Sequence, residues 1–162
     1  MQKRFIYAFW IVIFILITYL AHSYLQHEEK VNLTPTSQQN ALEKTVVLNA
    51  YNHHYVSFGF INGIRVKFLV DTGASSVSIP EHIAKQIGLK KGLGYSASTA
   101  NGNITVYQTM IDQLRIGNIT LSNVRASINP QTDDDFILLG MSALKQLEMI
   151  QKNNTLILKQ KI

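Results

Sequence analysis

The chain has 162 residues, of which 46% are hydrophobic and none is cysteine. This length allows one domain of ordinary size with a short appendage, and the lack of cysteine excludes disulfide frameworks, thiol nucleophiles and Cys-ligated zinc. The formal charge of +5 comes from scattered basic residues and not from a basic stripe interleaved with aromatics, so no nucleic-acid partner is expected.

The N-terminal run 5–21 contains no charged residue. A helix of this run would extend about 25 Å, near the lower limit for crossing the hydrocarbon core of a bilayer. Lys3 and Arg4 precede the run and acidic residues follow it, which favours a cytoplasmic N-terminus. We therefore predict a transmembrane helix and membrane anchor over 1–25, single-pass in the inner membrane, with the rest of the chain periplasmic. A cleaved signal peptide is the alternative.

Residues 26–44 are polar and include Pro35 and a Ser-Gln-Gln-Asn run. This composition predicts a tether with little structure of its own. The folded domain is predicted over 45–162, where short apolar runs are separated by turn dipeptides.

The pattern from residue 45 onward predicts a mainly β domain. Tyr55–Ile61 and Ile64–Val70 flank Asn62-Gly63, a dipeptide typical of tight hairpins. Further turn pairs occur at 101–102, 117–118 and 153–154, a spacing typical of a sandwich or barrel. The other predicted strands are Ile104–Met110, Ile111–Ile116, Val124–Ile128, Phe136–Leu139 and Thr155–Leu158.

Two short helices are predicted within this domain. Pro80 suits the first position of a helix that runs to Ile87, with Gly88 just past its end. Ser142 is a candidate N-cap for a second helix through Leu147.

The run with the clearest chemical content is Phe68-Leu-Val-Asp71-Thr-Gly-Ala-Ser75. An apolar strand leads directly into a carboxylate and a glycine-containing turn, and apolar Val77 and Ile79 follow. A lone Asp-Thr-Gly would be an ordinary β-turn. The apolar strand in front and the apolar pattern behind favour a catalytic loop, with Asp71 as the candidate catalytic residue.

With these residues the sequence resembles the retropepsin-like aspartic proteases, in particular their bacterial, membrane-anchored, single-lobe members. The matching blocks keep their order from Tyr55 to Leu158, about two thirds of the chain. They are Ile61-Asn-Gly63, Phe68–Ser75, Thr99-Ala-Asn-Gly102 and Ile137-Leu-Leu-Gly-Met-Ser-Ala-Leu144. The resemblance implies a closed β-barrel, the acid-protease lobe, and endopeptidase activity on polypeptides with no cofactor and no metal.

Hydrolysis by such an enzyme requires two carboxylates around one water. One carboxylate takes the proton of the water, and the other hydrogen-bonds the carbonyl of the substrate. The two share a proton, because carboxylates about 3 Å apart cannot both ionise. This chain has a single Asp-Thr-Gly, and Asp112 and the acidic run 133–135 lie in no such context. A homodimer is therefore implied, with Asp71 of each subunit on the two-fold axis.

The resemblance also assigns roles to neighbouring residues. It implies that the Thr72 hydroxyl hydrogen-bonds across the dimer and that Gly73 lets backbone approach the carboxylate pair. Leu139 and Gly140 match an apolar-apolar-Gly element that packs beneath the catalytic loop. The flap, a hairpin that folds over substrate, corresponds to Thr99, Ala100, Asn101 and Gly102.

Ala74 supports the same loop but has no hydroxyl to donate to the carboxylates. Related enzymes with Ser or Thr at this place have such a donor. We therefore expect a less acid-shifted pair, with activity that extends from mildly acidic pH towards neutrality.

Other polar groups give weaker signals. His53-His54 is an adjacent pair and His82 is isolated, so neither has the spacing of metal ligands. The run 133–135 is expected to be a solvated loop. Two alternatives to a protease that acts on other chains stay open: a catalytically silent peptide-binding domain at the membrane, and an enzyme that cleaves only its own tether.

Overall fold

The computed structural model describes Tyr7 and residues 10–20, 33–99 and 102–162. Residues before Leu33 form one unit, and Leu33–Ile162 form a second, compact unit. In the first unit, Tyr7 and residues 10–20 (α1) are helical. Within the described ranges, no helix combines the length and the apolar character that a membrane crossing requires. The other residues of the predicted span 5–21 lie outside the described part of the chain.

The second unit is mainly β with two short helices, as predicted. The helices are α2 (Glu81–Ile87) and α3 (Met141–Leu144). The strands are β1 (Thr36–Gln39), β2 (Glu43–Tyr51), β3 (His54–Ile61), β4 (Ile64–Val70), β5 (Val77–Pro80), β6 (Gly94–Thr99), β7 (Gly102–Ile116), β8 (Ile119–Asn129), β9 (Ile137–Leu139), β10 (Glu148–Lys152) and β11 (Thr155–Lys161).

The folded unit begins earlier than the predicted boundary at residue 45. Strand β1 lies within the stretch 26–44 that was expected to be a tether, and it pairs antiparallel with β2. The side chain of Asn118 donates to the Gln38 carbonyl at 2.7 Å, which adds a second attachment for β1. A polar strand such as Thr36–Gln39 is held by backbone pairing, so its composition gave no sign of order.

The strands follow the order β10-β11-β2-β3-β4-β9-β5-β8-β7-β6, with β1 on β2. A further pairing joins β3 to β7, so successive pairings lead from β3 through β4, β9, β5, β8 and β7 back to β3. The β4–β9 and β5–β8 pairings are parallel. The side chains of Phe68, Ile79, Ile137 and Leu139, which flank the candidate site, are fully buried in the core.

The predicted hairpin turns join strands where expected. Asn62 and Gly63 connect β3 to β4 with φ values of 49° and 84°, as a type I′ turn requires. The pairs at 117–118 and 153–154 also join antiparallel strands. At the predicted turn 101–102, Asn101 lies outside the described residues and Gly102 begins β7.

One strand assignment was wrong. Ile104–Met110 and Ile111–Ile116 were predicted as separate strands, but they form the single strand β7. No turn-forming residue separates the two segments, and the strand changes its partner from β6 to β8 along its length. The strands β2, β5, β6 and β10 were not predicted. Most residues of β6 and β10 are exposed, β5 has only four residues, and polar residues precede the short apolar run of β2.

The first helix follows its capping signals more closely than the second. Pro80 is the N-cap of α2, and Gly88 ends it with φ 80° in the left-handed region, so this prediction is correct to within one residue. Helix α3 is shorter than predicted, and its N-cap is Gly140 and not Ser142. The Ser142 hydroxyl bonds instead to the backbones of β5 and β8, which explains why it does not cap the helix.

Candidate active site

Asp71 follows directly after β4, and the neighbouring strand β9 holds it in place. Val70 pairs with Leu139 in the parallel β4–β9 ladder. The backbone N–H of Asp71 continues this ladder by donating to the Leu139 carbonyl at 3.2 Å. Because both strands carry fully buried side chains, the loop begins from a packed part of the core.

Residues 71–74 form a tight turn around the carboxylate. The Ala74 N–H donates to the Asp71 carbonyl at 3.3 Å, the bond typical of a β-turn. The Gly73 N–H donates to Asp71 Oδ1 at 2.8 Å. A Cβ on Gly73 would lie 3.1 Å from the same oxygen, which is tighter than ordinary van der Waals contact. Glycine at this position therefore leaves room for the carboxylate against the backbone.

The tip of the turn is accessible. Asp71 is half-buried, whereas Thr72 and Gly73 are exposed. Within the described residues, no hydrogen bond joins Asp71 to another carboxyl group, and the Thr72 hydroxyl has no hydrogen-bond partner. One chain therefore presents one carboxylate beside an unpaired hydroxyl.

Leu139 and Gly140 lie against the loop. The Met141 N–H donates to the Ala74 carbonyl at 2.8 Å. A Cβ on Gly140 would lie 2.6 Å from the Ser76 carbonyl carbon and 2.7 Å from the Ala74 oxygen. No side chain fits in that space, so glycine is required for β9 and α3 to pack this closely against the loop.

Ser142 has a role that sequence analysis missed. Its hydroxyl accepts the Val77 N–H at 3.0 Å and donates to the Arg125 carbonyl at 2.7 Å. These two bonds tie α3 to β5 and β8, and so fix the strand that leaves the catalytic loop. The partners are 65 and 17 residues away in the chain, so no local pattern could have marked them.

The flap candidate is the end of the β6–β7 hairpin. Thr99 pairs with Gly102, and the Thr99 hydroxyl donates to the Gly102 carbonyl at 2.8 Å. Gly102 has φ 110°, a value that favours glycine. Ala100 and Asn101, the other two predicted flap residues, lie outside the described residues. Most of β6 is exposed, so this hairpin contributes little to the core.

A cavity of about 860 Å³ lies beside the catalytic loop. Ser75 and Ser76, which follow the turn, contribute to its wall, together with Met141 of α3. Asp71 does not line it. The cavity therefore borders the residues that follow the turn and not the carboxylate itself.

Some of the charged groups away from the turn form ion pairs. Asp135 pairs with Lys67 at 2.8 Å, so part of the acidic run 133–135 is neutralised. Hydrogen bonds from Lys91 and then Lys85 lower the pKa of Glu81 to about 2, from an ordinary 4.5. In the described part of the chain, no three His, Asp or Glu side chains come together as metal ligands. The histidines considered from sequence, His53, His54 and His82, are exposed.

A comparison with protein families finds one match. Residues 58–146, more than half of the chain, match the family described as "gag-polyprotein putative aspartyl protease". The matched range contains both the Asp71 turn and Gly140, the two parts of the site that contact each other through the backbone.

Two curated relatives and one solved structure extend this result. An uncharacterized protein of Sinorhizobium sp., from the cobV 5' region, is 34% identical over 112 residues, which are 67% of this chain and 48% of the relative. An uncharacterized protein of Rickettsia prowazekii (strain Madrid E) is 27% identical over 150 residues, which are 87% of this chain and 64% of the relative. The chain therefore spans about half to two thirds of the length of these curated relatives.

The solved structure is the crystal structure of a retropepsin-like aspartic protease from Rickettsia conorii. It is 25% identical to this chain, with a TM-score of 0.62, and the match covers 78% of this chain and 96% of that one. The similarity thus extends over most of both chains.

Proposed function

The chain belongs to the gag-polyprotein aspartyl protease family and has a retropepsin-like fold, and on this premise we propose that it is an aspartic endopeptidase that works as a homodimer. The observation that carries the proposal is the turn at Asp71. The Asp71 carboxylate accepts the Gly73 N–H at 2.8 Å and stays accessible to solvent, and the Asp71 backbone N–H donates to the Leu139 carbonyl of β9. A carboxylate held in this way suits general acid–base chemistry on a bound water.

The proposed reaction needs two carboxylates and one water. One Asp71 carboxylate removes a proton from the water, whose oxygen attacks the carbonyl carbon of the scissile peptide bond. The second carboxyl group, which is protonated, donates its proton to the carbonyl oxygen and stabilises the tetrahedral intermediate. The intermediate then collapses, the C–N bond breaks, and the leaving nitrogen takes a proton from the dyad.

The second carboxylate is proposed to come from another copy of the chain. The sequence contains one Asp-Thr-Gly, and no other carboxyl group in the described residues is hydrogen-bonded to Asp71. A two-fold axis through the turn would bring two copies of Asp71 together. The exposed Thr72 hydroxyl, with no partner in the described part of its own chain, is available to bond across such an interface.

The test uses the full chain, purified in mild detergent, with a peptide library at several protein concentrations. We expect cleavage by the wild type to rise faster than linearly with concentration in the range where the dimer forms, and to fall by at least about a hundredfold in Asp71→Asn. Asp133→Asn is the matched control, because Asp133 is exposed and away from the turn. Wild-type rates in Asp71→Asn would overturn the proposal.

A mixing experiment tests the shared site directly. If each active site uses Asp71 from both subunits, excess Asp71→Asn chain should inhibit the wild type by forming inactive mixed dimers. Rates that stay unchanged on mixing would show that each chain acts alone. If a folded dimer of the wild type cleaves no peptide, the silent peptide-binding domain becomes the better account. Mass spectrometry of the N-terminus would show whether the chain releases its own domain.

The proposed location rests on sequence. The uncharged run 5–21 and the basic residues Lys3 and Arg4 before it support an inner-membrane anchor with the protease domain on the periplasmic side. Alkaline extraction of membranes and protease accessibility in spheroplasts test this. Release of the intact chain by alkali, or protection of the domain in spheroplasts, would contradict the proposed location.

A further inference from the structure

The cavity beside the catalytic loop has strongly basic walls. Four basic residues line it, and one acidic residue, Asp112, lies among them. The remaining wall is contributed by backbone, small polar groups and the side chains of a few apolar residues. The basic residues are Lys90, Lys91, Arg125 and Lys145.

Three of these cations form no ion pair among the residues that the structure describes. Lys91 pairs with Glu81 at 2.8 Å and lies 4.4 Å from the Tyr107 ring centroid, so its charge is already engaged. Lys90, Arg125 and Lys145 are exposed and form no ion pair with any residue in the described ranges. With Lys91 paired to Glu81, the other charged residues of the wall are three cations and the single anion Asp112. The cavity wall therefore carries a net positive charge.

The fold holds two of these cations next to the catalytic loop. Arg125 is on β8, and its backbone carbonyl accepts the Ser142 hydroxyl at 2.7 Å. Lys145 ends α3, where its N–H donates to the Met141 carbonyl at 3.1 Å. Because Met141 also donates to the Ala74 carbonyl of the loop, the positions of these cations are linked to the turn that presents Asp71.

The cavity also borders the catalytic turn. Ser75 and Ser76 line it and directly follow the turn that ends at Ala74. A substrate whose scissile bond lies at Asp71 has neighbouring residues that extend several ångströms per residue along the chain. Side chains on one side of the scissile bond would therefore reach the cavity.

We propose that this cavity is a substrate subsite that selects acidic side chains, so that the enzyme prefers polypeptides with Glu or Asp on one side of the scissile bond. The inference rests on the proposed function and names the substrate class of the same site. Arg125 and Lys145 would contact the substrate carboxylate, and their combined attraction would exceed the repulsion between Asp112 and that carboxylate.

The size of the preference follows from the exposure of these cations. A solvent-exposed ion pair changes an equilibrium by about two- to fivefold. Two cations acting on one carboxylate should therefore give a Glu-to-Gln ratio in kcat/KM of about fivefold at the favoured position. The preference should largely disappear near 1 M salt, where the Debye length falls to about 3 Å.

The test uses pairs of fluorogenic peptides that differ only in Glu against Gln at one position flanking the cleavage site. In the full-length wild type, kcat/KM should be about fivefold higher for Glu than for Gln at one or more positions on one side of the scissile bond. Arg125→Glu and Lys145→Glu should reduce it to about one or invert it, and the milder Arg125→Gln should lower it without reversing charge. Lys152→Glu is the matched control, because Lys152 is exposed on β10 and does not line the cavity.

Three results would overturn the inference while leaving the proposed protease intact. These are a ratio of one or less at every position, an unchanged ratio in the cavity variants, and an equal loss of preference in Lys152→Glu. A binding measurement separates the two proposals. Asp71→Asn protein is titrated with the same labelled Glu and Gln peptides, and fluorescence anisotropy gives the two Kd values. If the wild type cleaves nothing, the protease proposal fails, and equal Kd values would then overturn the acidic subsite as well.

Discussion

The backbone of Gly140 lies so close to Ala74 that a Cβ at position 140 would sit 2.7 Å from the Ala74 carbonyl oxygen. The same Cβ would lie 2.6 Å from the Ser76 carbonyl carbon. Both neighbours are backbone atoms, which cannot move aside as the end of a side chain can. The contact therefore couples the start of α3 to the catalytic turn.

Gly140→Ala should accordingly destabilise the domain and displace the turn. We expect a loss of about 1–3 kcal/mol in the free energy of unfolding, the usual range for overpacking a close contact, together with a fall in kcat. Urea unfolding followed by circular dichroism measures the first, and peptide cleavage the second. Gly94→Ala is the control, because its Cβ would meet the Tyr107 ring at an ordinary 3.4 Å. Equal stability of the two variants would show that the close approach at Gly140 is not rigid.

Ser142→Ala should remove two buried hydrogen bonds at once. The Val77 N–H and the Arg125 carbonyl would lose their partner, and Val77 is fully buried. A buried polar group left unpaired costs about 1–3 kcal/mol, so the midpoint of urea unfolding should fall while its slope stays unchanged. Ser122→Ala on the exposed face of β8 is the matched control. A wild-type midpoint in Ser142→Ala would mean that water replaces the hydroxyl without cost.

Ala74→Ser should change the pH dependence of cleavage. The substitution adds a hydroxyl donor within the turn that holds the carboxylate. A hydrogen bond to a charged group contributes about 1.5–3 kcal/mol, which corresponds to about one pH unit or more. Because the donor favours the ionised form, the acid limb of kcat/KM against pH should move to lower pH. If the acid limb of the pH profile does not move and the maximal kcat/KM is retained, the hydroxyl at residue 74 does not reach the carboxylate pair.

Glu81→Gln should make stability less dependent on pH. Hydrogen bonds from Lys91 and Lys85 lower the pKa of Glu81 to about 2 from 4.5, so the folded state binds a proton less readily than the unfolded chain. The stabilisation by Glu81 is therefore complete above about pH 4.5 and is lost as the pH falls towards about 2.

The Tm of Glu81→Gln should lie below that of the wild type at neutral pH, and the gap should close as acid is added. Glu148→Gln serves as control, because Glu148 is exposed and forms no ion pair within the described residues. Thermal unfolding across this pH range measures both variants. A Tm gap that stayed constant down to about pH 2 would show that Glu81 acts through packing and not through charge.

Local sequence predicted the parts of the fold whose backbone conformation depends on a few adjacent residues. Asn62-Gly63 adopts positive φ at both positions and turns β3 into β4, and Pro80 and Gly88 bracket α2. The carboxylate turn is of the same kind, since Gly73 accommodates the Asp71 side chain within one turn of backbone. In each case the determining contacts lie within a few residues, so a short pattern contains the information.

Strand pairing could not be predicted in the same way. Strand β1 is polar and is held by its partner β2 and by the Asn118 side chain, and β7 continues without a break because β8 pairs along its second half. The formation of β1 and the length of β7 both depend on residues outside the segment itself. Propensity within either segment therefore carries little information about it.

The sequence by itself determined the turn at Asp-Thr-Gly and the apolar strands on either side of it, because those residues act on their immediate neighbours. Tertiary structure alone decided the surroundings of that turn. It brought Gly140 against Ala74, bonded Ser142 to Val77 and Arg125, and gathered cations from α3, β8 and the segment after α2 around one cavity. Each of those contacts joins segments distant in the chain, so its geometry is set by how the strands and helices pack and not by any local residue pattern.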